Sequence, residues 1–221
     1  MNKLNVILTG ATGMVGEGVL HESLLSDKVE HVLILVRKST GITHSKLTEI
    51  VHENFFDLSS IISKLSGYNA FFFCSGVSAV GKKEYEYTRL TYDLTMYIAK
   101  VVQQKNPEMT FCYISGSGTD STENGKMMWA RVKGKTENDL QKLPFKKVYL
   151  FRPGYMHPTP GLKNTLPYYK YLSWLYPIVK LITPGFVSTL ADLGHAMINA
   201  SYFGYSKNII EVKDIHELKG L

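Results

Sequence analysis

Residues 5–20 constrain the fold of this chain more than any other stretch. A short apolar run, Val6-Ile7-Leu8, leads into Gly10, and two more glycines follow at three-residue spacing, Gly13 and Gly16. Helical apolar spacing begins inside that turn, with Val15, Val19, Leu20 and Leu24. Gly10 lets the chain turn sharply, Gly13 lets backbone approach a ligand, and Gly16 lets a helix pack close to the strand. The free N–H groups of the first helical turn, from Met14, Val15 and Gly16, then face an anion, with Thr12 beside them. A dinucleotide pyrophosphate is what such a strand, turn and helix hold. The glycine spacing alone is a weak signal; its place between strand and helix gives it weight.

Apolar runs recur at Val6–Leu8, Val32–Val36, Leu47–Val51, Ala70–Cys74, Thr110–Ile114, Val148–Phe151 and Ile209–Val212. They are continuous, as expected for strands covered on both faces. Helical patterns lie between them. The clearest spans 84–104, where Leu90, Leu94, Tyr97, Ile98, Val101 and Val102 mark one face and Pro107 follows the end. The expected fold is α/β, a single doubly wound Rossmann-type parallel sheet of about seven strands, with the ligand crevice at the strands' carboxyl ends. One domain, 1–221, suits this length. Residues 153–188 interrupt the rhythm with six of the eight prolines and a dense set of aromatics, among them Tyr155, Tyr168, Tyr169, Tyr171, Trp174, Tyr176 and Phe186. This insertion reads first as an aromatic-rich C-terminal cap over the substrate crevice. A homodimer surface and a membrane-surface helix are the alternatives, and Pro177 would kink a long helix there.

Composition narrows the function classes. Hydrophobic residues at 44% and charged residues at 20% suit a soluble globular protein. No apolar run is long enough for stable membrane insertion, and the first strand starts almost at Met1, so the expected location is cytoplasmic. Cys74 and Cys112 sit in separate strands and read as buried thiols; no metal site is expected. The net charge of +6 is spread over scattered lysines, with short pairs at Lys82-Lys83 and Lys146-Lys147. That pattern suits attraction for an anionic cofactor and a small-molecule substrate; no nucleic acid partner is expected.

The second strand ends in Arg37-Lys38. In a dinucleotide site this position meets the adenosine ribose, where a carboxylate would bind the hydroxyl of NAD and an arginine accommodates the phosphate of NADP. A guanidinium can grip phosphate with two donors, and Lys38 adds a point charge. NADP is therefore the expected cofactor, with NAD second. After the third strand, Asn54 could bond an adenine edge and Phe55 offers it an apolar face. Cys74-Ser75-Gly76 closes the fourth strand, where Gly76 should let backbone approach the cofactor.

Further motifs extend the pattern: Ile114-Ser115-Gly116-Ser117-Gly118, Val132-Lys133-Gly134-Lys135, Arg152-Pro153-Gly154-Tyr155 and Leu190-Ala191-Asp192-Leu193-Gly194-His195-Ala196-Met197. Together with Thr9–Gly16, Val36-Arg37 and Cys74–Gly76, they make the chain resemble an atypical short-chain dehydrogenase/reductase over its full length. The branch it resembles is that of small Tat-interacting-protein-like and NAD(P)-binding epimerase/dehydratase-like proteins. The resemblance implies that Ser115 or Ser117 polarises a substrate carbonyl. It also implies that Lys133 holds the nicotinamide ribose and that Pro153 lies beside the nicotinamide. The family's proton donor is a tyrosine four residues before the lysine, and here that place holds Trp129. Indole donates a hydrogen bond but does not ionise usefully. Tyr155, with His157, could supply a proton instead, or the proton could come from water; either residue could equally be ordinary loop packing.

Three functions follow as expectations. The first is an NADP(H)-dependent oxidoreductase acting on a small apolar or aromatic acceptor. The second is a non-catalytic NADP(H)-sensing protein that has lost its proton donor. The weakest is a nucleotide-sugar epimerase/dehydratase-like enzyme, since such enzymes usually carry a larger carboxyl-terminal substrate domain than this chain offers.

Overall fold

The computed structural model describes residues 2–164 and 184–221. Its centre is a seven-stranded sheet built from β1 (Leu4–Thr9), β2 (Val29–Val36), β3 (Leu47–Val51), β4 (Ala70–Phe73), β5 (Thr110–Ile114), β6 (Lys147–Arg152) and β9 (Ile209–Glu211). The strand order is β3-β2-β1-β4-β5-β6-β9, and every pairing is parallel. Each apolar run singled out in the sequence is one of these strands. Beside them, a short parallel pair joins β7 (Tyr155–His157) to β8 (Val187–Thr189).

Continuous apolar runs are explained by burial on two faces. Val6, Leu8, Phe72 and Cys112 point into one core, against Val19 and Leu20 of α1 (Met14–Leu25) and Leu193 and Met197 of a later helix. Ile7, Leu33, Phe71, Phe73 and Phe111 point into the other. There Phe71 stacks on Phe111 at 5.1 Å and Phe145 closes on Phe111 at 5.0 Å. Such ring pairs are worth roughly 0.5–1.5 kcal/mol each beyond their burial.

The helical segment expected over 84–104 is present but divided. It comprises α2 (Glu84–Thr88), a π-helical turn at Arg89–Asp93, and α3 (Leu94–Lys105). The wider turn also sends Tyr92 to α4 (Met128–Leu140), where its hydroxyl donates to Asp139 at 2.7 Å. A π turn inside a helix commonly marks a functional position, and this one borders the crevice described below. The chain ends with α5 (Leu190–Phe203) and α6 (Val212–Leu218). Thr189 caps α5: its hydroxyl accepts the Asp192 N–H at 2.9 Å, and the Asp192 carboxylate accepts the Thr189 N–H at 3.2 Å.

Strand order reverses between β1 and β4, and the connections after these two strands therefore leave in opposite directions. That divergence opens a crevice at their carboxyl ends. Two contacts tie down the described parts of the expected cap, one between its two ends and one to α1. Gly154 lies against the Phe186 carbonyl so closely that a Cβ would stand 2.1 Å from its oxygen. The Glu17 carboxylate in α1 accepts the N–H groups of Lys163 and Asn164 at 2.9 and 2.7 Å. Tyr168, Tyr169, Tyr171, Trp174, Pro177 and Tyr176 fall outside the described residues, and with them the choice among cap, dimer surface and membrane helix. No helix among the described residues is long and apolar enough to cross a membrane.

Candidate functional site

The glycine turn follows directly from close backbone approach. Gly10 has φ +81°, and a Cβ there would meet the Cys74 carbonyl at 2.6 Å, so the turns after β1 and β4 can touch only through glycine. Gly16 is tighter: its Cβ would lie 2.1 Å from the Gly10 oxygen. Gly13 caps α1 without a side-chain partner, its own N–H bonding back to Gly10 at 2.9 Å. Met14, Val15 and Gly16 form the first helical turn, whose N–H groups have no carbonyl within the helix to receive them.

A cleft of about 390 Å³ opens at this point. Gly10, Thr12 and Gly13 form its floor, Arg37 and Asn54 with Phe55 one side, and Cys74, Ser75 and Gly76 the other. All were singled out in the sequence, from four separate strand ends. Lys38 is exposed and outside the lining. The Asn54 side-chain oxygen accepts the Phe56 N–H at 3.1 Å, and Phe55 stacks on His52 with ring centres 6.4 Å apart. Burial pushes the Cys74 thiol well above its ordinary range, so it lines the wall as a neutral group.

The lining also contains residues that the sequence reading did not select. Leu35 and Val36 precede Arg37, Phe56 follows Phe55, and Val77 extends the turn after β4. Leu90 lies within the π turn and Leu94 directly follows it. Glu53 is the consequential addition, a carboxylate in the same cleft as Arg37. No acidic residue adjoins Arg37 in the sequence, so folding alone brings Glu53 into its cleft. β3 pairs with β2 along its length, and this brings the two strand ends side by side.

A second cluster lies after β5 and β6. Lys133 Nζ donates to the Ser115 carbonyl oxygen. Burial lowers the Lys133 pKa to about 8, with Glu137 pulling upward. The Ser115 hydroxyl faces away from open space: it lies 2.5 Å from a Glu137 carboxylate oxygen and 3.1 Å from the Phe151 carbonyl. Glu137, fully buried, also receives the Arg152 guanidinium at both oxygens. Arg152 reaches on to Ser121 at 2.6 Å and Glu211 at 3.4 Å. This network was not read from the sequence, although Arg152 belonged to a quoted motif.

Ser117 is half-buried, and its N–H donates to the Pro153 carbonyl at 2.9 Å, joining the loops after β5 and β6. Trp129 sits one turn before Lys133 on α4, its ring edge 3.6 Å from where a Gly118 Cβ would be. Gly134 lets α4 press on the same loop, since a Cβ there would meet the Asp120 oxygen at 1.8 Å. Tyr155 is half-buried on β7 with an enclosed hydroxyl. His157 lies on the same strand, and burial lowers its pKa. Among the described residues no cluster of side chains could hold a metal ion.

The parallel sheet, its switch point and the glycine turn define a Rossmann-type α/β fold, the fold seen in the epimerases, dehydrogenases and reductases to which the structure is similar. Among solved structures, the chain resembles a UDP-N-acetylglucosamine 4-epimerase from Methanobrevibacter ruminantium M1, with TM-score 0.65 and 15% identity. That match covers 98% of this chain and 81% of the epimerase. The Bordetella bronchiseptica enzyme WbmF, solved with NAD+, matches at TM-score 0.64 and 13% identity over 99% of this chain and 77% of its own.

No protein-family model matches the sequence. The chain is 29% identical over 157 residues to "Protein fmp52, mitochondrial" of Emericella nidulans, covering 68% of this chain and 66% of that protein. It is 26% identical over 227 residues to "Protein FMP52-1, mitochondrial" of Scheffersomyces stipitis, covering 99% and 97%. These relatives overturn the cytoplasmic expectation, which rested on composition and on the position of the first strand; they are named as mitochondrial proteins. Neither composition nor strand position distinguishes one aqueous compartment from another.

Proposed function

We propose that this chain is an NADP(H)-dependent oxidoreductase that acts on a small apolar or aromatic acceptor. The observation that carries the reading is the single cleft into which four strand ends bring the glycine turn, Arg37, Asn54-Phe55 and Ser75-Gly76. Its features fit a dinucleotide: an uncapped helix start, a cation at the β2 end, and open space where a Gly76 Cβ would stand. When bound, the nicotinamide supplies or accepts a hydride. Gly13 and the first turn of α1 would hold the pyrophosphate, with Thr12 beside them and Met14, Val15 and Gly16 contributing N–H groups. Arg37 would take the ribose phosphate, and Asn54 and Phe55 the adenine.

Arg37 outweighs Glu53 in this assignment because β2 adjoins the glycine strand β1, whereas β3 lies one strand further out. Lys133, ammonium at neutral pH, would give its remaining N–H groups to the nicotinamide ribose. Pro153 and Tyr155 would border the nicotinamide, and Ser117 is the serine with a hydroxyl left to offer. The mitochondrial naming of the relatives extends to this chain as part of the proposal.

Trp129 favours a second reading, a protein that binds NADP(H) as a signal and does no chemistry. The lack of a phenol at position 129 also weighs against epimerase chemistry, which must move a proton on and off a sugar hydroxyl. Titration with NADPH and NADH, followed by tryptophan fluorescence, tests the shared premise. Tighter binding of NADPH with oxidation by any acceptor supports the oxidoreductase. Tight binding without turnover across an acceptor panel supports the sensor, and no binding of either cofactor refutes both.

A further inference from the structure

Among the described residues, none of the three that would manage a substrate oxyanion, Trp129, Ser115 and Lys133, is free to protonate it; Ser117 can lend only a hydrogen bond, the Tyr155 hydroxyl is enclosed, and burial disfavours the charged form of His157. The tyrosine place holds Trp129, whose indole cannot release a proton. The Ser115 hydroxyl has one proton, and it points to the Glu137 carboxylate 2.5 Å away or to the Phe151 carbonyl. Glu137 is held in turn by Arg152, so it cannot swing aside to free the serine. Lys133 spends one donor on the Ser115 carbonyl, and the proposed ribose contact takes the others. Hydride transfer to an aldehyde or ketone would leave an alkoxide, whose basicity is about that of hydroxide (water, pKa ~15.7). Such a product needs an acid at hand.

We propose that the acceptor is a quinone, a conjugated dicarbonyl whose reduction needs no acid from the protein. The quinone takes a hydride, two electrons and a proton, from the reduced nicotinamide, which leaves oxidised. The resulting hydroquinone anion resembles a phenolate of pKa about 10, so it collects its second proton from water. Apolar side chains in the cleft fit such a ligand: Val77 from the turn after β4 and Leu90 and Leu94 from the helical segment beside it line its wall. The inference rests on the oxidoreductase reading and narrows it to one substrate class.

The test uses the full-length protein. NADPH binding is measured first by tryptophan fluorescence. NADPH oxidation is then followed with a naphthoquinone and, separately, with benzaldehyde, after subtracting the uncatalysed rates. A missing general acid costs roughly 10²–10⁴ in rate, so naphthoquinone turnover is expected to exceed benzaldehyde turnover about a hundredfold or more. Trp129→Tyr, which restores a phenol one turn before Lys133, is expected to raise the benzaldehyde rate and narrow that ratio. NADPH binding with benzaldehyde reduced as fast as the quinone, or with neither reduced, overturns the quinone inference. Absence of NADPH binding overturns the oxidoreductase reading itself.

Discussion

Lys133→Met isolates the electrostatics of the second cluster. Burial holds the Lys133 ammonium down from its ordinary 10.5 to about 8, and Glu137 offsets only part of that penalty. Below about pH 8 the folded protein keeps a buried charge and pays for it in full. Between about 8 and 10.5 the folded chain has released a proton that the unfolded chain still carries. Stability therefore rises with pH through that window. The full interval corresponds to about 3 kcal/mol, and the part between about pH 7 and about pH 9.5 to about 2 kcal/mol. Methionine matches the length of the lysine stem and cannot titrate. Urea unfolding of both proteins at a series of pH values should show wild type gaining about 2 kcal/mol relative to Lys133→Met across that range. The buried thiols of Cys74 and Cys112, with raised pKa values, lose stability as pH climbs, but they do so in both proteins and cancel in the difference. Two curves parallel to within about 0.5 kcal/mol would refute the claim that burial depresses this lysine.

Three further outcomes are expected. Arg37→Ala should weaken NADPH binding about ten- to a hundredfold and leave NADH nearly unchanged in parallel titrations, since a charge-assisted phosphate contact is worth about 1.5–3 kcal/mol. Gly16→Ala should lower the melting temperature sharply and abolish cofactor binding, because its Cβ would stand 2.1 Å from the Gly10 oxygen, whereas Gly76→Ala, with nothing within 4 Å, should keep the fold. Glu137→Ala should cost about 3–5 kcal/mol in urea unfolding by stranding the Arg152 guanidinium, and adding Arg152→Met should recover part of that loss.

The sheet was legible because a strand buried on both faces writes a continuous apolar run, as the inner strands do; the edge strand β3, half exposed and carrying Thr48 and Glu49, writes a weaker one. The lining of the cleft at the ends of β1, β2 and β4 was legible for a related reason. Gly10, Gly16, Arg37 and Cys74 each follow immediately on a strand or open a helix, so a local pattern carries their position. The π turn at Arg89–Asp93 left no comparable trace, since Leu90, Leu94 and Ile98 keep ordinary helical spacing through it. Glu53 was missed because its proximity to Arg37 comes from the pairing of β3 with β2, and the sequence does not display that pairing.

The cluster around Lys133 was hidden more deeply. Glu137 stands one turn after Lys133 on α4, where sequence alone suggests a solvated charge pair; instead it is fully buried. Its partner Arg152 comes from β6, and only tertiary packing brings the two together at 3.1 Å. A buried ion pair gains little stability over apolar packing of the same volume, so stability alone gives no reason for it here. What it does accomplish is geometric. Glu137 anchors the Ser115 side chain while Lys133 holds the Ser115 carbonyl, and the loop after β5 is thereby fixed from two sides. Had Trp129 simply replaced the phenol in a protein that no longer positions anything at this loop, Leu or Met at 137 and 152 would fill the same space without the desolvation cost. The retained pair makes sense if the loop must still present its backbone and Ser117 in one place. That favours an acceptor oriented for hydride transfer over a cofactor bound for its own sake.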